Sequence, residues 1–180
     1  MRLKRALTTG ALLALPLMAV FASPAMAATS VSGVGGQLTI NSGNVGDEIN
    51  ISLEGGFLVV RNFKDTMNTP SFNCQRLDSR TVRCPSAGIA KIQVQTQGGA
   101  DVVRNNTALP TRAFLGPEGD QYSGGSARDF VNGDEGNDLI DGNGGSDILI
   151  GDSGGFDQVF GGAGIDLCDA EAENSCEQQA

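Results

Sequence analysis

Two patterns of apolar and polar positions divide the chain. Between Gln37 and Asn106 the period is two: Leu38 and Ile40 alternate with polar neighbours, as do Ile49, Ile51 and Leu53, and later Ile92 and Val94, while Phe57 to Val60 is a continuous apolar run. Successive side chains of an extended chain point to opposite faces, so this stretch predicts short strands. Turn residues punctuate it at Ser42-Gly43, Glu54-Gly55-Gly56 and Gly98-Gly99. From Leu115 to Asp169 the period becomes nine, reading LGPEGDQYS, GGSARDFVN, GDEGNDLID, GNGGSDILI, GDSGGFDQVF and GGAGIDLCD, and only the fifth unit has ten residues. Asp120, Asp129, Asp138, Asp147, Asp157 and Asp166 mark the units, and two positions after each stands Tyr122, Val131, Ile140, Leu149, Val159 or Cys168.

A unit of this kind offers a glycine-rich turn and about three residues with one reliable apolar position, enough for a very short strand and too little for a core. Stacking supplies the core. If two units make one coil, residues 18 apart lie over one another at roughly 4.8 Å and the apolar ladders from opposite sides meet inside. The aspartates stack as well, and two carboxylates about 5 Å apart repel by roughly 3–4 kcal/mol at an effective dielectric near 20. A folded stack therefore calls for bridging cations. Aspartate and turn carbonyl oxygens form a hard, adjustable cage that suits calcium better than thiol-seeking metals or strictly octahedral magnesium. Glycine lets the turn present its carbonyls inward and visit positive φ. A flexible Gly/Asp linker would need no apolar residue at a fixed offset from every aspartate.

GDEGNDLID and GGAGIDLCD resemble the GGxGxDxUx nonapeptide of RTX, or hemolysin-type, calcium-binding repeats. The resemblance runs from Leu115 to Asp169, under a third of the chain. It implies an all-β fold whose C-terminal part is a parallel β-roll, a β-solenoid holding calcium between successive turns, capped by an N-terminal short-strand segment. Carried over by position, one ligand column is Asp120, Asp138 and Asp157 and the other Asp129, Asp147 and Asp166, with turn carbonyls from Gly133, Gly136, Gly142, Gly145, Gly151, Gly161 and Gly164. Leu115, Glu118 and Ala127 stand at glycine positions, which puts carbonyl ligation there in doubt, and the extra residue in Gly154-Gly155-Phe156 is expected to distort the turn before Asp157. Upstream, GGADVV resembles a lone degenerate unit whose Asp101 would face Asp120 from one coil below. Modules of this kind bind calcium at roughly 0.1–1 mM and fold as they bind.

Charge follows the same division. Residues 29–114 carry eight Lys or Arg against six Asp or Glu, whereas residues 115–180 carry one base, Arg128, and fifteen acids. So acidic a chain argues against nucleic acid and anionic lipid as partners. The absence of histidine removes imidazole triads and histidine-ligated zinc, and the first half contains no HExxH or GxSxG, so a non-enzymatic role is expected. Alternatives are a calcium-dependent adhesion or assembly module at the cell surface, or a calcium-stabilised carbohydrate-active or hydrolytic enzyme.

At the N-terminus, Arg2, Lys4 and Arg5 precede an apolar run from Ala11 to Ala22 and then Ala25-Met26-Ala27, the pattern of a secretory signal cleaved after Ala27. The run is too short to span a bilayer. Four cysteines in an exported chain favour two disulfides, and of three connectivities the local one, Cys74 with Cys84 and Cys168 with Cys176, is simplest. Zinc held by four thiolates is the alternative, though the spacings do not resemble paired CxxC knuckles. FNCQRLDSRTVRCP then reads as a hairpin whose Arg76, Arg80 and Arg83 are either solvated or a patch for an acidic partner, and CDAEAENSC as a cap folded over the last coil. The expected division is a signal over 1–27, a β segment over 28–106, the calcium-binding roll over 107–169 and a cap over 170–180. This layout resembles small secreted actinobacterial proteins with calcium-binding repeats. Two outer columns complete the picture: Phe130, Ile148 and Leu167 on one face, which either binds something or lies beneath other strands, and Gln121, Leu139 and Gln158 on the other.

Overall fold

The computed structural model describes residues 28–68 and 70–179; the expected signal segment lies outside them. Every element is a strand, and among the described residues no helix is long and apolar enough to cross a membrane. In chain order the strands are β1 (Ser30–Val34), β2 (Gln37–Asn41), β3 (Glu48–Glu54), β4 (Phe57–Asn62), β5 (Ser71–Phe72), β6 (Gln75–Arg76), β7 (Thr81–Pro85), β8 (Lys91–Gln95) and β9 (Val102–Asn106). They continue as β10 (Thr111–Phe114), β11 (Gln121–Ser123), β12 (Phe130–Gly136), β13 (Leu139–Asp141), β14 (Ile148–Gly154), β15 (Gln158–Phe160), β16 (Leu167–Asp169), β17 (Ala172–Asn174) and β18 (Gln178–Gln179).

These strands make two open, mixed nine-stranded sheets, in the orders β18-β16-β14-β12-β10-β8-β2-β1-β5 and β17-β15-β13-β11-β9-β3-β4-β7-β6. From β8 onward the chain visits the sheets alternately and every pairing is parallel, so each step across both sheets adds one rung. The nine-residue period dictates this. One unit supplies one short strand, three residues in β11, β13, β15 and β16 and seven in β12 and β14, and its reliable inward side chain joins a core shared by both sheets. Val131, Ile140, Leu149, Val159 and Cys168 are all buried.

The first half obeys a different rule and reaches the same sheets. Gly35-Gly36 and Gly55-Gly56, all at positive φ, turn the β1/β2 and β3/β4 antiparallel hairpins. Leu38, Ile40, Ile49, Ile51, Ile92 and Val94 point into the core as their alternation predicts. Leu53 does not: it sits at the tip of the β3/β4 hairpin, past the end of the neighbouring strand, and is exposed. β2 pairs in parallel with β8, and β3 with β9, so the pairing runs on unbroken across residues 106–107.

Both disulfides join the local partners, Cys74 to Cys84 and Cys168 to Cys176. The first closes the β6/β7 hairpin, where Arg83 lies over the Phe57 ring at 4.6 Å and Arg76 donates to the Asp78 carbonyl. The second holds a C-terminal loop that extends the stack, because β17 adds to β15 and β18 to β16 in parallel. The loop is thus a last rung rather than a lid. The outer columns also form in register: Phe130, Ile148 and Leu167 along one sheet, and Gln121, Leu139 and Gln158 along the other. Phe130 is half-buried by its own sheet, with the Arg112 guanidinium 5.0 Å above its ring and Phe114 at 6.0 Å.

Candidate metal centre

All six repeat aspartates are at most 2% exposed, although each comes directly out of a polar turn. What holds them there is a ladder. The backbone N–H of Asp120 donates to Asp138 Oδ1 at 2.8 Å, 18 residues on, and Asp138 N–H donates to Asp157 Oδ1 at 2.8 Å, 19 residues on. In the second column Asp129 N–H donates to Asp147 Oδ1 at 2.7 Å, and Asp147 N–H to Asp166 Oδ1 at 2.8 Å. Each carboxylate thereby bridges two rungs. The change from 18 to 19 at the fifth unit is absorbed in the turn, where Gly155 N–H bonds the Gly136 carbonyl and Phe156 N–H bonds Asn137 Oδ1. Asp157 keeps its place in the column, so the expected distortion stops short of the carboxylate.

The ladder runs further than the repeats. Asp101 N–H donates to Asp120 Oδ1 at 2.8 Å, placing the degenerate upstream unit one rung below as its sequence suggests, and Asp47 N–H donates in turn to Asp101 Oδ1 at 2.6 Å. At the other end Asp157 N–H donates to Glu171 Oε2 at 3.0 Å and Asp166 N–H to Glu177 Oε2 at 2.7 Å. Asp47, Glu171 and Glu177 were not legible in the nine-residue period. Asp47 precedes its partner by 54 residues, and the two glutamates follow theirs by 14 and 11.

The ladder satisfies one oxygen of each carboxylate and leaves the other. Oδ2 of Asp47, Asp101, Asp120, Asp138, Asp147, Asp157 and Asp166 is buried with no hydrogen-bond donor. A single buried acceptor without a partner costs about 1–3 kcal/mol, more when charged, so such a series demands a positive partner. Asp129 is the exception, for Tyr122 Oη donates to its Oδ2 at 2.9 Å and Gly125 N–H at 3.4 Å.

Glycine shapes the space around those oxygens in two ways. At Gly142 a Cβ would lie 2.5 Å from Asp147 Oδ2 and 2.7 Å from the Gly161 carbonyl oxygen, and at Gly133 it would run into Asp138 Oδ2 beside the Gly151 carbonyl. Gly151 and Gly161 likewise abut Oδ2 of Asp157 and Asp166. These glycines are needed for the room they leave, since none has positive φ. The others, Gly136, Gly145 and Gly164, do have positive φ and press against the backbone of the rung below. The Gly136 carbonyl already accepts from Gly155, and the Gly133 carbonyl from Gly116 at 3.2 Å. Asp134, Asn143 and Asp152 take the positive-φ second position of their units, a conformation short polar side chains tolerate.

Burial governs the electrostatics. It pushes the Asp120 carboxyl up to about 8, with the charges of Asp101, Asp138 and Glu118 adding to the rise. Burial likewise raises Asp101 to about 7, and Asp138 and Asp147 to about 6. Without a counter-charge Asp120 thus keeps its proton at neutral pH, while Asp138 and Asp147 are mostly ionised there. Among the described residues no three acidic, cysteine or histidine side chains converge on one point. The donor set is instead a carboxylate oxygen beside a glycine carbonyl of the next rung, hard oxygens of the kind calcium takes. The residues present therefore fit a calcium ion, on the strength of the unpaired oxygens and the glycine-kept space.

Residues 123–155 match the RTX calcium-binding nonapeptide repeat family in four copies. This stretch is an RTX repeat array. No curated protein and no solved structure matches the chain. The matched RTX residues take in Asp129, Asp138 and Asp147, and the ladder adds Asp120, Asp157 and Asp166 on the same geometry. RTX repeats imply calcium binding, and four cysteines in two disulfides accompany them.

Proposed function

We propose that the protein is a secreted, non-enzymatic calcium-binding protein whose two sheets are the walls of a β-roll, closed into successive coils by the ions between them. The observation that carries this reading is the run of buried Asp Oδ2 atoms without a donor, of which those of Asp138, Asp147, Asp157 and Asp166 lie in space that a glycine keeps open. Asp138, Asp147, Asp157 and Asp166 would hold the ions together with turn carbonyls. Calcium supplies the positive charge that lets the carboxylates stack ionised. External calcium near 1 mM fills sites of roughly 0.1–1 mM affinity, whereas cytosolic levels leave them empty, so export and folding are coupled.

The leader-like pattern over residues 1–27 and the two disulfides support export. The non-enzymatic reading draws on the missing histidine and on the use of the clustered acids as ladder acceptors. A cavity of about 300 Å³ on the outer face of the second sheet has Arg104 and Asp141 as its charged lining residues, and one carboxylate makes no acid–base pair.

Calcium titration of the mature chain, followed by circular dichroism and calorimetry, tests the reading. Strand signal is expected to grow with calcium, and Asp138→Ala and Asp147→Ala each to lower both heat and ion count. Identical strand content in excess chelator, or unchanged uptake in both variants, overturns it. Hydrolysis of any member of a glycan and ester panel overturns the non-enzymatic part alone.

A further inference from the structure

Asp129 is the only repeat aspartate whose second oxygen has hydrogen-bond donors, the Tyr122 hydroxyl at 2.9 Å and, more weakly, the Gly125 N–H at 3.4 Å, and the first is unusual for its position. The residue two places after the aspartate is aliphatic or cysteine in five units and tyrosine in the first. Tyr122 is 2% exposed, lies in the sheet opposite β12 and crosses the core to place its hydroxyl on Asp129 Oδ2 at 2.9 Å. The cradle there is the one found a rung higher. A Cβ at Gly124 would lie 2.5 Å from both Asp129 Oδ2 and the Gly142 carbonyl oxygen, just as one at Gly142 meets Asp147 Oδ2 and the Gly161 carbonyl oxygen. The same glycine, carboxylate and carbonyl recur, but at Asp129 a phenol O–H is aimed at the oxygen that is unpaired at Asp147.

The rung below agrees. In the first column the residue beneath Asp120 is another acid, Asp101. In the second column the residue beneath Asp129 is Thr111, whose N–H donates to Asp129 Oδ1 at 2.7 Å. The second column of carboxylates therefore ends at Asp129.

We infer that Tyr122 takes the place of a calcium ion at Asp129, so that the second column begins its ions at Asp147. A neutral donor supplies the hydrogen bond a cation would otherwise replace, and it sets where the calcium-dependent part of that column begins. The inference rests on the calcium-binding reading above and refines which of its sites are filled.

The test counts calcium per chain by equilibrium dialysis of the intact mature protein at saturating calcium. Tyr122→Phe removes one oxygen and keeps the ring; it is expected to gain one ion over wild type. Asp129→Asn is expected to keep the wild-type count, because its amide can face the phenol oxygen, and to abolish the gain when combined with Tyr122→Phe. Asp147→Asn is expected to lose at least one ion. A wild-type count in Tyr122→Phe, or a lost ion in Asp129→Asn alone, overturns the role of Tyr122 while Asp147→Asn still reports calcium binding. Should Tyr122→Phe fail to fold by circular dichroism, the count in Asp129→Asn decides. A wild-type chain that takes up no calcium removes the underlying reading instead.

Discussion

The lower and upper rungs carry the same column of buried acids and neutralise its surroundings differently. Five residues before Asp138 stands Gly133, and five before Asp147 stands Gly142; five before Asp47 and Asp101 stand Ser42 and Thr96. Ser42 Oγ donates to the Thr96 carbonyl at 2.9 Å, and Thr96 Oγ1 to the Leu115 carbonyl at 2.6 Å. Asn62 Nδ2 donates to Asp47 Oδ1 and to Thr29 Oγ1. In the lower rungs, then, covalently attached hydroxyls serve the carbonyls and an amide serves one oxygen of Asp47, while Oδ2 of Asp47 and Asp101 stays without a donor. In the upper rungs glycine withholds any side chain, and carbonyl and carboxylate are left to a diffusible ion. One architecture is thereby divided into a part whose turn carbonyls have covalently attached donors and a part whose turn carbonyls and acids both depend on the solution.

Calcium removal should separate the two most strongly. In calcium-free buffer at pH 8, hydrogen exchange is expected to lose essentially all protection over β12 to β16 while β2, β3, β4 and β7 keep theirs. Uniform loss, or uniform retention, would erase the distinction.

Next in size is the response to pH. Asp120, Asp138 and Asp147 have folded values of about 8, 6 and 6, above the ordinary 3.8, so without calcium the folded state binds more protons across that span. Their contribution to stability is full below about pH 4 and lost as pH rises through 6 to 8. Acidifying calcium-free protein from pH 8 to 5 should therefore restore strand signal in the upper rungs. With calcium present the order reverses, because the ion requires ionised carboxylates and its affinity rises over the same interval. Circular dichroism across pH in the two buffers checks both signs.

Removing the Cys168–Cys176 disulfide with Cys168→Ala and Cys176→Ala should cost about 2–3 kcal/mol by loop entropy, and it frees the rung that carries Glu171 and Glu177. Opening Cys74–Cys84 should cost a similar amount, independent of calcium. Thermal melts with and without calcium distinguish the two. Smallest is a pair of glycine substitutions. Gly133→Ala pushes a methyl into Asp138 Oδ2 and should weaken calcium binding along with a loss of roughly 1–3 kcal/mol. Gly55→Ala meets open space at φ +56° and should cost about 1 kcal/mol with calcium affinity unchanged.

The sequence by itself determined most of the strands, though not β1 or β10, together with the main turns and the two columns of repeat aspartates. Period-two and period-nine patterns are local, and a fixed interval between acids becomes a fixed column as soon as identical units stack. The local disulfides were legible for the same reason, since short separations leave few other partners. Only the tertiary structure decided which further groups meet that column. Asp47, Glu171 and Glu177 enter it from irregular distances, the Tyr122 hydroxyl reaches it across the core, and the hydroxyls of Ser42 and Thr96 bond turn carbonyls of the next rung beside it. It also decided that the first half and the C-terminal loop continue the same two sheets. A hydrogen bond to the neighbouring rung depends on what is stacked there, and no interval along the chain encodes that once the period breaks.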